Sequence, residues 1–324
     1  MFKTPKFWYE ESVKSAIISN ILLPLSGIFI IATHIRKLIS TEKTIAGKFV
    51  ICVGNVTLGG NGKTPVALAL FEALSQIFPG DICVISKGYG RKTKGFIVVE
   101  KNMNPLQIGD EPALISQTAP IYLFTKIEDI LQNIHKIKEK IILVDDGLQN
   151  PNFYKDFNLL VIGEQQLGNS HFGNGEIFPA GPMRESKKSA FEKSDAIIFT
   201  GNGKELKINK PSYNAQPHFN CEILPQEITA FSGLGNNKKF NNSLLQQGFS
   251  VKNFFEFKDH HQYSNAEIEE IIKKSGNLPI VTTQKDWVKL DHSHKNVIHT
   301  LKIKYTLDKK LINSIVEVIN LKKY

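Results

Sequence analysis

Cysteine is scarce: Cys52, Cys83 and Cys221 are the three in 324 residues. They stand far apart, with no Cys-x-x-Cys pair and no metal-ligand spacing, which argues against a disulfide scaffold or a zinc module. Each sits in an apolar, strand-like run, so buried reduced thiols in a cytosolic compartment are expected. Internal repeats and low-complexity tracts are also lacking. So are blocks of like charge: the formal net charge is +9, but the lysines are scattered and no nucleic-acid motif accompanies them. The basic balance then points to a phosphorylated substrate or an anionic membrane surface, with nucleic acid set aside. Hydrophobic content of 41% and charged content of 22% are ordinary for a folded chain that buries one large core or two moderate ones. Nothing in the sequence specifies an oligomeric state.

One long apolar run is present. Residues 16–33 are nearly all apolar, preceded by Lys14 and followed by His34, Arg36 and Lys37. As a helix these eighteen residues cover about 27 Å, close to a hydrocarbon core of about 30 Å. Asn20, Pro24 and Gly27 interrupt the run, and no clean cleavage site follows. Three readings stay open: a single span, a helix lying among the headgroups, or a helix packed on the protein. Phe7, Trp8 and Tyr9 upstream suit a membrane interface, and shallow insertion is the favoured reading.

The centre of the chain's chemistry is Gly54-Asn55-Val56-Thr57-Leu58-Gly59-Gly60-Asn61-Gly62-Lys63-Thr64-Pro65. An apolar run, 49–53, leads in and a helical pattern, 66–74, leads out. That is the order a phosphate-binding loop needs. Glycines let main-chain N–H groups close around phosphate oxygens, and the following helix points its positive end at the same anion. Lys63 would bridge the β- and γ-phosphates and the Thr64 hydroxyl would hold Mg²⁺. The strict spacing is not met, because Thr57 occupies the first glycine position.

Residues 141–147 are four apolar residues ending in Asp145, Asp146 and Gly147, the way a Walker-B strand presents an aspartate to a nucleotide-bound metal. The plainer alternative is a strand ending in an Asp-Gly turn. Gly109-Asp110-Glu111-Pro112 has two readings as well: acids and proline opening a helix, with Asp110 as its cap, or a functional acid. Residues 86–91 end a strand with Lys87, Tyr89 and Arg91, an ordinary loop or a grip on phosphate or sugar. The irregular segment 171–185, with Asn174 and Arg184, reads as a binding loop on a rigid sheet. Asp259-His260-His261 carries too few ligands for zinc; one imidazole could take a proton or orient the carboxylate that does.

Short apolar strands alternate with helices from residue 49 onward: 49–54, 82–86, 96–100, 121–125, 141–145, 159–163 and 196–200. Continuous apolar runs mark parallel strands covered on both faces. The expected fold is α/β: a P-loop NTPase-like, doubly wound, mostly parallel sheet with a second, smaller C-terminal α/β unit and an N-terminal hydrophobic helix. A boundary is placed in the polar stretch 201–217, giving units 1–40, 41–215 and 216–324. Beyond it lie a strand at 228–232 running into a structural glycine turn, a capped helix from Ser264 to about Lys274, a strand at 279–283 and an amphipathic helix at 309–321.

Taken together, these segments resemble the tetraacyldisaccharide 4′-kinase family of lipid A biosynthesis, over nearly the whole chain. The resemblance rests on residues 54–65, 86–91, 109–112, 144–150, 173–185, 231–236, 259–263 and 282–290, in that order. It implies a membrane-associated kinase at the inner membrane, facing the cytosol. ATP, with Mg²⁺, would phosphorylate the 4′-hydroxyl of an acylated glucosamine disaccharide 1-phosphate, giving lipid IVA. It implies an ATP loop of Thr57, Leu58, Gly59, Gly60, Asn61, Gly62, Lys63 and Thr64. Asp110 becomes the candidate base with His260 as its partner. Thr64, Glu111, Asp145 and Asp146 become metal or water ligands, and Tyr89, Arg91, Asn174, Arg184 and His261 candidate substrate contacts. The chain departs from the commoner pattern at Lys87 (Arg is usual), Leu148 and Asn150 (Phe and His) and Gln284 (Glu). Two other classes explain part of the sequence: a soluble P-loop kinase of a small metabolite, and a membrane-tethered nucleotide switch or ATPase without a lipid acceptor.

Overall fold

The computed structural model describes residues 4–59, 62–163, 170–201, 206 and 208–322. Among the described residues twelve strands form one sheet: β1 (Phe49–Gly54), β2 (Ile82–Ser86), β3 (Ile97–Val99), β4 (Ile121–Leu123), β5 (Ile141–Asp145), β6 (Phe157–Ile162), β7 (Ala196–Thr200), β8 (Ser212–Cys221), β9 (Glu227–Ser232), β10 (Ser250–Glu256), β11 (Ile280–Thr283) and β12 (Ile298–Thr306). Their order is β10-β9-β11-β12-β8-β7-β6-β1-β5-β2-β4-β3. Every neighbouring pair is parallel except β3–β4 and β8–β12. β1, β2, β5 and β7 are buried along their whole length, because helices cover both faces of a parallel sheet.

β8 joins the two halves of this sheet. Its first residues, Ser212 to Ala215, run parallel to β7, and Gln216 to Cys221 run antiparallel to β12. The strand falls partly within the stretch expected to be a polar boundary. It alternates between exposed and half-buried positions, so it carries no apolar run to betray it. The second half has its own cores, around Ile228, Ala230 and Leu244 on one face and Phe231, Ile268 and Ile271 on the other. The last helix, Lys309–Leu321, returns to the first half and packs Leu311, Ile315 and Ile319 into the core that holds Leu70 and Leu74. Those two leucines belong to α2 (Lys63–Ser75), the helix that follows the glycine-rich loop.

The N-terminal helix α1 (Val13–Ile39) runs unbroken through Pro24 for 27 residues, about 40 Å. Its best window has a mean hydropathy of 2.1 and is 11% buried, so by length and composition it can cross a membrane. Its polarity is inverted relative to a soluble surface helix. The buried residues are Ser15, Ser19 and Ser26, four and seven apart and hence on one face. The side chains of Ile17, Ile21, Ile28, Ile31, Ile35 and Leu38 are exposed. The serines dock onto the segment after β6. Ser19 Oγ donates to Ala180 O at 2.9 Å, and Ser26 Oγ donates to Ile177 O at 2.7 Å and accepts from Ala180 N at 3.1 Å. Trp8 is not displayed to a membrane interface as its position suggested. It is 5% exposed, and its indole N–H donates to Pro179 O at 3.1 Å, the partner a buried indole requires.

Ser26→Ala removes one donor and leaves the Ala180 amide without its acceptor, a cost of about 1–3 kcal/mol. Hydrogen exchange should show lost protection at Ala180 and along α1, with the sheet unchanged. Unchanged exchange at Ala180 would mean that the serine stripe does not hold the helix.

Candidate active site

β1 lies between β5 and β6, and the loop leaving its carboxyl end is held from both sides. On one side Leu58 N donates to Pro182 O and Arg184 N to Val56 O, each at 2.7 Å, and Thr57 forms an antiparallel bridge with Met183. Inside the loop, Asn55 Nδ2 donates to Thr57 O at 2.7 Å, while Asn55 Oδ1 accepts from Lys63 Nζ at 3.0 Å. Gly62, at φ 77°, turns the chain into α2, whose first residue is Lys63. Gly60 and Asn61 lie outside the described residues.

The register of β1 and β5 sets Val53 beside Asp145, so both acids of 145–146 stand at the mouth of the loop. Asp146 adopts a left-handed conformation, φ 57°, with its N–H on Val53 O. Its carboxylate takes Lys63 Nζ at 3.1 Å and Arg184 Nη1 at 2.8 Å. Burial would raise its pKa, but those two cations outweigh burial and hold it below the usual carboxylate range. Asp145 is treated in the opposite way. It is 7% exposed, Thr64 Oγ1 lies 3.4 Å from Oδ2, and Oδ1 is buried without a hydrogen-bond partner. Burial first, then the charge of Glu111, pushes Asp145 up to about 7, against the pull of Lys63.

The second cluster joins the two halves of the sheet. Asp110, 4% exposed, is the first residue of the helix Asp110–Ile115; Gly109 occupies the cap position, so the Asp110 side chain is free for another partner. That partner is His260, 150 residues away, with Nδ1 at 3.0 Å from Asp110 Oδ2. His260 lies in the turn between β10 and the helix Asn265–Ser275, at φ 58°. Lys289 Nζ is 3.6 Å from the same Asp110 oxygen, and Lys285 Nζ is 3.3 Å from His260 Nε2 and 3.6 Å from Glu111 Oε1. Burial would raise the Asp110 pKa, but the hydrogen bond to His260 and the charges of Lys289 and Lys285 outweigh it and hold the carboxyl below its usual range. Glu111 links the two clusters, since its charge reaches Asp145 on one side and Lys285 on the other.

A strand-loop-Lys-Thr-helix unit with paired acids on the neighbouring strand, faced by a buried Asp–His pair, can be set against known proteins. The profile of the tetraacyldisaccharide-1-P 4′-kinase family, LpxK, matches residues 18–320. Tetraacyldisaccharide 4′-kinase of Rickettsia canadensis is 32% identical over 91% of this chain and 90% of its own length. That of Rickettsia bellii is 32% identical over 94% of each. The chain belongs to the LpxK family. The fold agrees: the crystal structure of the "apo" form of LpxK from Aquifex aeolicus in complex with ATP superposes at a TM-score of 0.77 with 27% identity, over 93% of this chain and 99% of that one.

In this LpxK-family chain the structure brings Lys63, Thr64, Asp145, Asp146, Glu111, Asp110, His260 and Arg184 into one linked cluster. The Tyr89 ring, 65% exposed, lies 6.2 Å from that of His260. Three other expected contacts are engaged elsewhere. Arg91 Nη2 donates to Gly95 O and Thr125 Oγ1, closing its own loop. Asn174 Nδ2 donates to Ser19 Oγ and Ala180 O, seating α1. His261 pairs with Glu267 at 3.0 Å and stacks on Phe257 at 4.7 Å, bracing the turn that presents His260. Sequence reasoning gave no roles to Asn55, Lys285 and Lys289. The two lysines are four apart in 282–290, Lys285 in the short helix Gln284–Trp287 and Lys289 in the turn after it.

The residues also fit a magnesium ion. The donors at the mouth of the loop are all oxygens: the Thr64 hydroxyl, the Asp145 carboxylate with one orphaned atom, and Glu111. Among the described residues no group of three or more His, Cys, Asp or Glu side chains is placed to hold a metal ion. Oxygen donors are the ligands that a hard divalent cation takes.

Asp145 also predicts a stability signature. A carboxyl whose folded pKa is raised carries no penalty below its unfolded pKa of 3.8 and an increasing one as pH climbs towards about 7. Asp145→Asn should therefore stabilise the ligand-free protein at pH 8, by up to ~4 kcal/mol, and leave it unchanged at pH 3.5. Denaturation at the two pH values checks this; equal stability of both proteins at pH 8 would remove the strain assigned to Asp145.

Proposed function

We propose that this LpxK-family enzyme moves the γ-phosphate of ATP to the 4′-hydroxyl of an acylated glucosamine disaccharide 1-phosphate at the cytosolic face of the inner membrane, with Asp110 receiving the hydroxyl proton. The observation that carries this reading is the buried Asp110–His260 pair at 3.0 Å, linked through Glu111 to the Lys63–Asp145–Asp146 group. A nucleotide switch needs the second group and has no use for the first.

Phosphoryl transfer asks the protein for positioning and charge neutralisation more than for covalent chemistry. Lys63, the loop amides and the amino end of α2 offer positive charge to the β- and γ-phosphates. Asn55 and Asp146 hold Lys63 ready, since its ammonium is already oriented by both. In a loose transition state the acceptor keeps its proton until late, so a carboxylate of lowered pKa serves by orienting the hydroxyl first and taking the proton last. His260 and Lys289 converge on Asp110 Oδ2 and fix that carboxylate. Mg²⁺, when bound by Thr64, Asp145 and Glu111, supplies charge neutralisation on the phosphate oxygens. Asp146 stays with Lys63 and Arg184.

The acylated substrate supplies the reason for α1. Withdrawing acyl chains from a bilayer costs about 0.8 kcal/mol per CH₂, so the enzyme has to come to the membrane. The outward apolar face of α1 supports membrane attachment of residues 1–40. In this reading residues 41–215 form the kinase core, and 216–324 form the smaller unit that brings His260 and its lysines to Asp110.

Two measurements test the proposal. With labelled ATP and a crude lipid extract, label should enter the chloroform phase, and Asp110→Ala should lower that transfer by about 10²–10⁴-fold while ATP-analogue affinity is kept. Release of free phosphate alone, or full transfer by the variant, would overturn the assignment. Deleting residues 1–37 should abolish sedimentation with vesicles; a truncated chain that still sediments would place the anchor elsewhere.

A further inference from the structure

The short helix Gln284–Trp287 and the turn after it deliver two cations to the Asp110–His260 pair. Both are under constraint. Lys289 has a fully buried side chain whose ammonium donates to Asp286 Oδ1 at 2.8 Å and to His261 O at 3.0 Å, and lies 3.6 Å from Asp110 Oδ2. Asp286, itself 0% exposed, is fixed by Gly233 N and by the Thr283 hydroxyl. Lys285, with a side chain 19% exposed, stands between His260 Nε2 at 3.3 Å, Glu111 at 3.6 Å and Asp259 at 3.8 Å.

The chemistry of these groups fixes a proton. An ammonium has three donors and no acceptor, so at His260 Nε2 it can only donate. A ring nitrogen that accepts carries no hydrogen, which leaves the imidazole proton on Nδ1, 3.0 Å from Asp110 Oδ2. The opposite tautomer would set an Nε2–H against the nearer ammonium, with the Asp259 carboxylate at 3.8 Å as its only acceptor, and an Nδ1 lone pair against the Asp110 carboxylate. We propose that Lys285 is a positioning residue that selects the Nδ1–H tautomer of His260, so that His260 donates to Asp110 and Asp110 alone receives the substrate proton. Lys289 holds the other side of the same arrangement, tying the turn 259–263 and the Asp110 carboxylate to Asp286. Neither lysine takes or gives a proton in the transfer.

This inference rests on the kinase reading for its rate consequence, and its structural consequence is measurable without it. Nitrogen-15 spectra of the ligand-free wild-type protein should show His260 protonated at Nδ1 and bare at Nε2. Lys285→Met should shift the population towards Nε2–H, and Lys285→Arg, which keeps a donor, should return it. With lipid acceptor, Lys285→Met should lower kcat by 10–100-fold with ATP KM within twofold of wild type, and Lys285→Arg should recover most of the loss. A wild-type tautomer in Lys285→Met would overturn the proposal. So would an effect confined to ATP KM, which would make Lys285 a phosphate contact. If the tautomer shifts as expected but wild-type protein transfers no label to lipid, the positioning role stands and the kinase reading falls. Thermal denaturation controls for folding: both Lys285 variants should keep a cooperative transition above the assay temperature.

Discussion

Four carboxylates, Asp110, Glu111, Asp145 and Asp146, gather at the carboxyl end of this sheet, and the desolvation that Asp110, Asp145 and Asp146 suffer there is the constraint to which the rest of the site answers. Four cations stand against them. Lys63 and Arg184 meet Asp146, while Lys285 and Lys289 meet Glu111 and Asp110. The second pair comes from the far half of the sheet, which also shares an apolar core with the first half through Val288, Leu311 and Ile315. Burial first, and then the charge of Glu111, keeps Asp145 raised to about 7 in spite of Lys63. A buried acid with an orphaned oxygen is costly in the free protein. A cation bound beside it would relieve that cost.

Backbone geometry serves the same end. Asp146 and His260 both occupy the left-handed region, which non-glycine residues rarely enter. Such conformations persist only where surroundings over-determine them. Asp146 is pinned by Val53 O, Lys63 and Arg184, and His260 by Asp110, Lys285 and the stacked turn behind it. In each case the strained residue points its side chain at a charge supplied by another element.

How much of this was legible from the residues follows from how local each signal is. β1, β2, β5 and β7 announce themselves as continuous apolar runs, and the last helix, Lys309–Leu321, as an amphipathic one. β8, β10 and β12 did not, because half-exposed positions along them dilute the apolar signal. Lys63, Thr64, Asp145 and Asp146 are readable because loop and strand end carry their own punctuation. The Asp110–His260 contact spans 150 residues, so only a likeness to a family suggested it. Lys285 and Lys289 read as two more lysines in a basic chain; their meaning lies in the acids they face, which no local pattern encodes. Asn174 shows the reverse: a polar residue in a glycine-rich loop looked like a ligand contact, and its amide holds a helix in place.

That helix has an implication for handling the molecule. Its serines are spent inward on Ile177 and Ala180, so between Asn20 and Thr33 the side facing solvent has no polar side chain to offer water. In plain buffer the chain has to cover that surface with something: detergent, lipid carried through purification, or another copy of itself. A particle size measured in plain buffer would report this substitution of one cover for another and say little about how the enzyme is assembled where it works.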